Sequence, residues 1–124
     1  MKPLKMSDIA TNFNDYRSRM NDKLLDEGSV TLKRIFNLDK LAYQKGILDV
    51  ATKELLGLVA STVLRCDDCI NYHLEKCFQE KLSKKQVMEA LEIATVVEGS
   101  IVIPHLRRAY KFWEALENQN KTKL

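Results

Sequence analysis

Glycine and proline are scarce in this chain, four and two among 124 residues. No stretch alternates apolar and polar residues as a half-buried strand would, so nothing points to a sheet. Apolar runs are short, and none approaches the length that spans a bilayer. The start, MKPLKMSDIA, has no apolar run after its lysines. That argues against a secretory signal and for a cytoplasmic setting. The formal net charge of +3 is too small to point to a nucleic-acid partner. There is no internal repeat and no linker. There is also no second close pair of cysteines or histidines of the kind a structural zinc site draws on. Cysteine is rare, three in all, and histidine rarer still, two. In a reducing compartment a close cysteine pair is more often catalytic or metal-binding than a structural staple.

What is present reads as helix. Apolar residues make up 45% and charged ones 30%, interleaved throughout, which suits one domain, 1–124, with one core. Ser7 can cap a segment that Gly28 ends in a left-handed turn. Residues 31–46 suggest one or two short helices with a break near Asn37 or Asp39. Residues 48–64 are rich in Leu and Ala, and Gly57 among them costs about 1 kcal/mol relative to Ala. Asp67 or Asp68 can cap the next helix, through about Lys81. Ser83 caps another, which Gly99 ends. In the last, from about Ile101 to Glu117, the residues Val102, His105, Leu106, Ala109, Phe112, Trp113 and Leu116 recur at helical spacing. Pro104 fits its first turn, where no amide donor is needed. The polar residues 118–124 are expected to fray. The fold class is therefore all-α.

All three cysteines and one histidine fall in a single stretch, RCDDCINYHLEKC, from Arg65 to Cys77. With a helix starting at Asp67 or Asp68, Cys69 lies in the first turn and Cys66 just before it. Cys69 and His73, four apart, then share a face. The electropositive helix start and the imidazole favour a Cys69 thiolate. Asp67 and Asp68 oppose it. Glu54 stands twelve positions before Cys66, roughly 18 Å away on one straight helix. A reversal near Arg65–Asp67 changes this, because residues equidistant from the turn of an antiparallel hairpin meet. Glu54 and His73 are centred on 63–64, so the carboxylate can reach the imidazole. The sequence thus permits a line of groups, Glu54–His73–Cys69–Cys66, in which a carboxylate orients a histidine that serves a thiol.

In the frame KELLGLVASTVLRCDDCINYH, these residues and their spacing resemble the alkylhydroperoxidase D-like branch of the carboxymuconolactone decarboxylase family. YQKGILDVATKE before it and EKLSKKQVMEALEIATVVEGS after it fit the same pattern, and the resemblance covers roughly 41–115. It implies a helical fold with the CxxC pair on a helix hairpin, assembled as a trimer or hexamer. It also implies thiol peroxidase or related disulfide chemistry. In that scheme Cys69 attacks peroxide, Cys66 resolves the product to a disulfide, and His73, held by Glu54, moves protons. The partners are a peroxide or other small oxidant and an external dithiol reductant; no cofactor and no metal is called for. Some members carry a second histidine between the cysteines, where this chain has Asp68. Family decarboxylases generally lack the CxxC pair.

The main competing reading is a non-enzymatic zinc-binding or helical interaction module, with Cys66, Cys69 and His73 as ligands and Glu54 or His105 as a fourth. Cys77 reads as core, where a free cysteine behaves as a small apolar side chain. His105, on the apolar stripe of the last helix, is read as a satisfied core residue or as lining the thiol pocket. HLRRAYKFW reads as a packed helix with solvated arginines. Tyr72, about 100° around the helix from His73, is given no role. Self-association is expected because Phe112, Trp113, Val102, Ile103 and the segment Leu55–Leu64 amount to more apolar surface than one small helical domain covers.

Overall fold

The computed structural model describes residues 6–122, with side chains from Asp8 to Lys121. The described residues form six helices and no strand: α1 (Met6–Glu27), α2 (Val30–Ala42), α3 (Val50–Val63), α4 (Asp67–Gln79), α5 (Lys84–Glu98) and, after a 3-10 turn at Ser100–Val102, α6 (Ile103–Thr122). The antiparallel hairpin α3–α4 is the centre. α5 packs on α3, while α6 lies against α4 and α1. Leu58 of α3, Ile70 and Leu74 of α4, Leu91 of α5 and Phe112 of α6 are at most 2% exposed and meet in one core. Edge-to-face aromatic contacts, Phe13 on Phe112 and Phe78 on Trp113 at 5.4 and 5.2 Å, close the α1 and α4 sides of α6. Such pairs add about 0.5–1.5 kcal/mol beyond their buried area.

Several local expectations change. Helical backbone is already present at Met6, before Ser7, whose side chain lies outside the described residues. Gly28 follows α1 without a left-handed backbone. Its lack of a side chain serves packing, since a Cβ there would lie 2.5 Å from Leu32 Cδ1 and 2.6 Å from the Leu24 carbonyl. α2 runs unbroken through Asn37 and Asp39, because both face solvent and need no local backbone partner. Residues 118–122 are helical, not frayed: Gln119 Nε2 donates to Thr11 Oγ1 of α1 at 2.8 Å and so docks the end of α6.

The hairpin turn is the most informative joint. α3 ends without glycine: Arg65 takes a left-handed φ of 59°. The Arg65 and Cys66 amides donate to the Thr62 and Ser61 carbonyls, both at 3.0 Å. This double closure satisfies carbonyls that a helix end leaves open. Cys66 then begins α4. Its sulfur, not Asp67 or Asp68, is the N-cap acceptor, taking the Cys69 amide at 3.3 Å. The aspartates occupy the first turn instead, where negative charge complements the helix dipole. One residue thus terminates α3 and starts α4.

Candidate active site

The hairpin brings Glu54 and His73 together. Glu54 Oε2 lies 2.8 Å from His73 Nδ1, and the side chains are only 4% and 9% exposed. A carboxylate only accepts, so Nδ1 carries the proton and a neutral ring keeps Nε2 as an acceptor. Tyr43 Oη, 3.4 Å from Nε2, can donate to it. The phenol is suited to this: burial, and then the Glu54 charge, push its pKa above the usual tyrosine value, so it keeps its proton.

Tyr43 reaches the site from the end of α2, where it is the C-cap residue. Lys53, beside Glu54, holds that end by donating to the Ala42 and Gln44 carbonyls at 2.8 and 2.7 Å. A cation on helix-terminal carbonyls is favourable. Gly57 makes the approach possible. A Cβ there would sit 2.5 Å from Tyr43 Oη and 2.6 Å from His73 Cε1. The sequence suggested only a small helix cost at this glycine; its absent side chain is the notch into which imidazole and phenol fit.

Tyr72 also belongs to the surroundings, contrary to the angular argument. Its ring meets His73 edge to face at 5.2 Å, with the Arg17 guanidinium 4.1 Å from its centroid. Adjacent residues on a helix diverge, but a large ring can fold back when a cation from α1 covers its outer face. Burial, then the Glu54 charge, raise the Tyr72 pKa as well. A cleft of about 850 Å³ opens beside these groups, lined by Phe36, Tyr43, Val50, Glu54 and Tyr72 and bordered by Arg17, Lys33, Lys40 and Lys76.

Cys66 and Cys69 are paired as a disulfide, Cα atoms 5.3 Å apart, with Cys69 at the surface. His73 stands one turn further along α4, and no hydrogen bond joins it to either sulfur in this oxidised form; Glu54 and Tyr43 occupy its two nitrogens. Cys77 is fully buried, and burial pushes its thiol up to about 12. It therefore stays protonated and unreactive near neutral pH. Among the described residues no group of three or more His, Cys, Asp and Glu side chains is placed to share a metal ion.

His105 is half-buried, and its hydrogen bonds go to Asp67 and Arg108. Its Nδ1 is 2.7 Å from Asp67 Oδ1, and Arg108 Nε donates to Asp67 Oδ2 at 2.8 Å. Arg108 is thus anchored to the cysteine loop, not merely solvated. Partial burial works to raise the Asp67 carboxyl, but the hydrogen bonds and charges of His105 and Arg108 outweigh it and hold the pKa below the ordinary value. The spacing of the apolar stripe gave no sign of this tie.

The candidate site is thus a disulfide-bonded CxxC at the start of α4 on an all-helical scaffold, with a buried Glu–His pair from the same hairpin one turn further along. The chain belongs to the carboxymuconolactone decarboxylase family, whose model matches residues 30–112. It falls in the AhpD-like branch. It is 38% identical over 55 residues to alkyl hydroperoxide reductase AhpD of Corynebacterium kroppenstedtii, a match covering 44% of this chain and 32% of that protein. An uncharacterized protein of the Paracoccus denitrificans cox locus is 29% identical over 72 residues, 58% of this chain and 65% of its own length. The chain therefore spans less than two thirds of either relative. Two crystal structures from Thermotoga maritima superpose with TM-scores of 0.87 and 0.86, at 58% and 56% identity, over 90% of this chain and 97% and 95% of theirs. The second is of a family protein named as a candidate for an antioxidative response.

Proposed function

We propose that this chain is a thiol peroxidase that cycles Cys66 and Cys69 between dithiol and disulfide. The observation that carries the reading is the Cys66–Cys69 pair on the helix whose next turn bears His73, held by buried Glu54. His73 Nε2 takes the Cys69 proton; the thiolate then attacks an O–O bond, an S–O bond forms, the O–O bond breaks, and the departing alkoxide takes that proton back from Nε2. Cys66, as thiolate, attacks the sulfenic sulfur. The S–S bond forms, the S–O bond breaks, and hydroxide leaves as water with the proton that the Cys66 thiol gave up. Two thiols and one peroxide thus yield one disulfide, one alcohol and one water. An external dithiol restores the pair by exchange, itself becoming a disulfide. Once the Cys66–Cys69 bond opens, Cys69 regains a thiolate one turn from His73, the spacing at which helical side chains meet.

The AhpD relatives support peroxide as the oxidant, and the reading carries a cytoplasmic setting in which a dithiol reductant is at hand. It also carries assembly as a homo-oligomer, a trimer or hexamer. Of the residues first thought to drive assembly, Val102, Phe112 and Trp113 are buried inside the chain, whereas Leu56 and Leu64 of the Leu55–Leu64 segment are exposed. Further exposed apolar side chains are Ile35, Leu38 and Leu41 on α2, and Ile93, Val96 and Val97 on α5. No helix among the described residues is long and apolar enough to cross a membrane.

The test is a thiol titration with stoichiometric alkyl hydroperoxide. Wild type should lose two thiols per peroxide. Cys66→Ser should accumulate a sulfenic acid at Cys69 that dimedone traps, and Cys69→Ser should consume no peroxide. Retention of both wild-type thiols, or stoichiometric zinc on the purified chain that the thiols need to stay folded, would overturn the proposal.

A further inference from the structure

One interaction has no part in the peroxide chemistry: the carboxylate between the two cysteines is clamped from another helix. Asp67 is the first residue of α4. His105 and Arg108, one turn apart on α6, take its two oxygens separately, at 2.7 and 2.8 Å. Arg108 Nη2 stands 3.2 Å from the same His105 nitrogen. With the carboxylate accepting from both, this is two donors crowded onto one anion. Helix packing needs no such arrangement. α6 already buries Ala109, Phe112, Trp113 and Leu116 in the core, so the clamp adds little apolar contact and much charge organisation.

The surrounding charges show why it matters. A carboxylate beside a thiol disfavours the thiolate. The α4 N-terminus favours it. Asp68, in the same turn, is exposed and makes no ion pair. Arg65, before Cys66, lies 4.0 Å from Glu98 of α5, so its charge is partly answered there. Glu54 and His73 answer each other across the hairpin. Two aspartates therefore bear on the thiols, and the pair from α6 offsets one of them.

We propose that Asp67 is a positioning residue whose clamp by His105 and Arg108 sets how readily the Cys66–Cys69 thiols ionise. The clamp fixes the first turn of α4 and draws the Asp67 charge toward α6. The inference rests on the dithiol reading above, but its test is made on reduced protein and needs no peroxide turnover.

The experiment is the pH dependence of iodoacetamide alkylation at Cys66 and Cys69, followed by peptide mass spectrometry in a Cys77→Ala background. Wild type is compared with Arg108→Gln, Arg108→Lys and Asp67→Asn. Arg108→Gln frees the Asp67 charge, so its profile should move to higher pH by roughly half a unit, a few-fold slower alkylation near neutrality. Asp67→Asn removes the charge and leaves Arg108, so its profile should move to lower pH. Arg108→Lys should fall between wild type and Arg108→Gln, since lysine keeps the charge without the two-pronged geometry. Opposite shifts in Arg108→Gln and Asp67→Asn support the proposal. Superimposed profiles, with only melting temperatures changed, would reduce the clamp to a structural tie and overturn it. Shifts in the same direction would also overturn it, since they would report a displaced loop and not charge. Arg108→Lys keeps the test usable if Arg108→Gln fails to fold. Failure of wild type to lose thiols to peroxide would instead remove the peroxidase reading, and the alkylation profiles would still decide the clamp.

Discussion

The protein's two histidines each hold a carboxylate through Nδ1, at nearly the same distance. His73 meets Glu54 at 2.8 Å with side chains 9% and 4% exposed. His105 meets Asp67 at 2.7 Å with side chains 16% and 40% exposed. Bond length does not distinguish them; solvent does. Where water is excluded, neither partner has an alternative, and removing one leaves the other uncompensated at a cost of about 3–5 kcal/mol. Where water reaches the carboxylate, the same contact is screened and its net worth falls to about 1 kcal/mol or less. In the proposed chemistry the dry pair orients a ring and the wet pair adjusts a field.

The strongest test of this contrast is on the dry side. His73→Gln should lower peroxide turnover by ~10²–10⁴-fold, the usual contribution of a general acid–base group. Glu54→Gln should act in the same direction but less, because the ring remains and only its orientation and charge change. Both variants should still form the Cys66–Cys69 disulfide with diamide. Steady-state peroxide consumption and thiol counts check this, and turnover equal to wild type in both would separate the buried pair from the chemistry.

Gly57→Ala probes the same pair without touching a charge. The added methyl must displace Tyr43 or His73, so the variant should lose about 1–3 kcal/mol of stability, as overpacked cores do. Urea unfolding reads that loss, and turnover should fall with it. Unchanged stability would mean that the notch has slack.

On the wet side, Asp67→Asn should cost at most about 1 kcal/mol near neutrality. The Asp67 pKa is lower folded than unfolded. Its contribution is therefore present above the unfolded value, near pH 4, and lost as pH falls through the folded value. Melting curves of wild type and Asp67→Asn should accordingly differ most above pH 5 and converge in acid, and 0.5 M salt should shrink the difference. A gap that widens in acid would contradict the assignment.

The smallest effect should come from Cys77→Ala. It should leave turnover intact and cost roughly 1 kcal/mol, about that of one buried methylene. The Cys77 thiol is pushed up from 9.0 to about 12 by burial. Its contribution is thus held below pH 9 and lost as pH rises toward 12. Wild type should lose more stability than Cys77→Ala above pH 9. Alkylation of native reduced wild type at pH 8 should label two thiols, and a third only after unfolding.

The contrast also explains what the sequence revealed. The Glu54–His73 meeting could be read from hairpin arithmetic, because both residues belong to one local unit whose turn was placed near Arg65. Helical periodicity put Phe112 and Trp113 on the apolar side of the last helix, but their reading as surplus surface for self-association failed, since both are buried in the core. Tyr43 and Gly57 were missed because their roles arise where three helices converge, and a glycine inside a helix looks the same whether it is a flaw or a notch. Asp67 and His105 are 38 residues apart and bonded through part-buried edges outside the core, which leave no periodic trace. The Cys66 cap was assigned to its aspartate neighbours because propensity favours carboxylates at that position, whereas the left-handed Arg65 set the register one residue earlier.

That register has a consequence for how the chain could drift. At position 66 the backbone needs only an amide to finish α3 and a side-chain acceptor to begin α4, and serine offers both at least as well as cysteine. The scaffold is therefore indifferent to whether sulfur or oxygen stands there, and Cys66→Ser should leave the hairpin standing while ending disulfide formation. A single-atom exchange divides ancestry from occupation: relatives could keep the architecture and abandon the trade, and a serine at this joint would be the mark they leave.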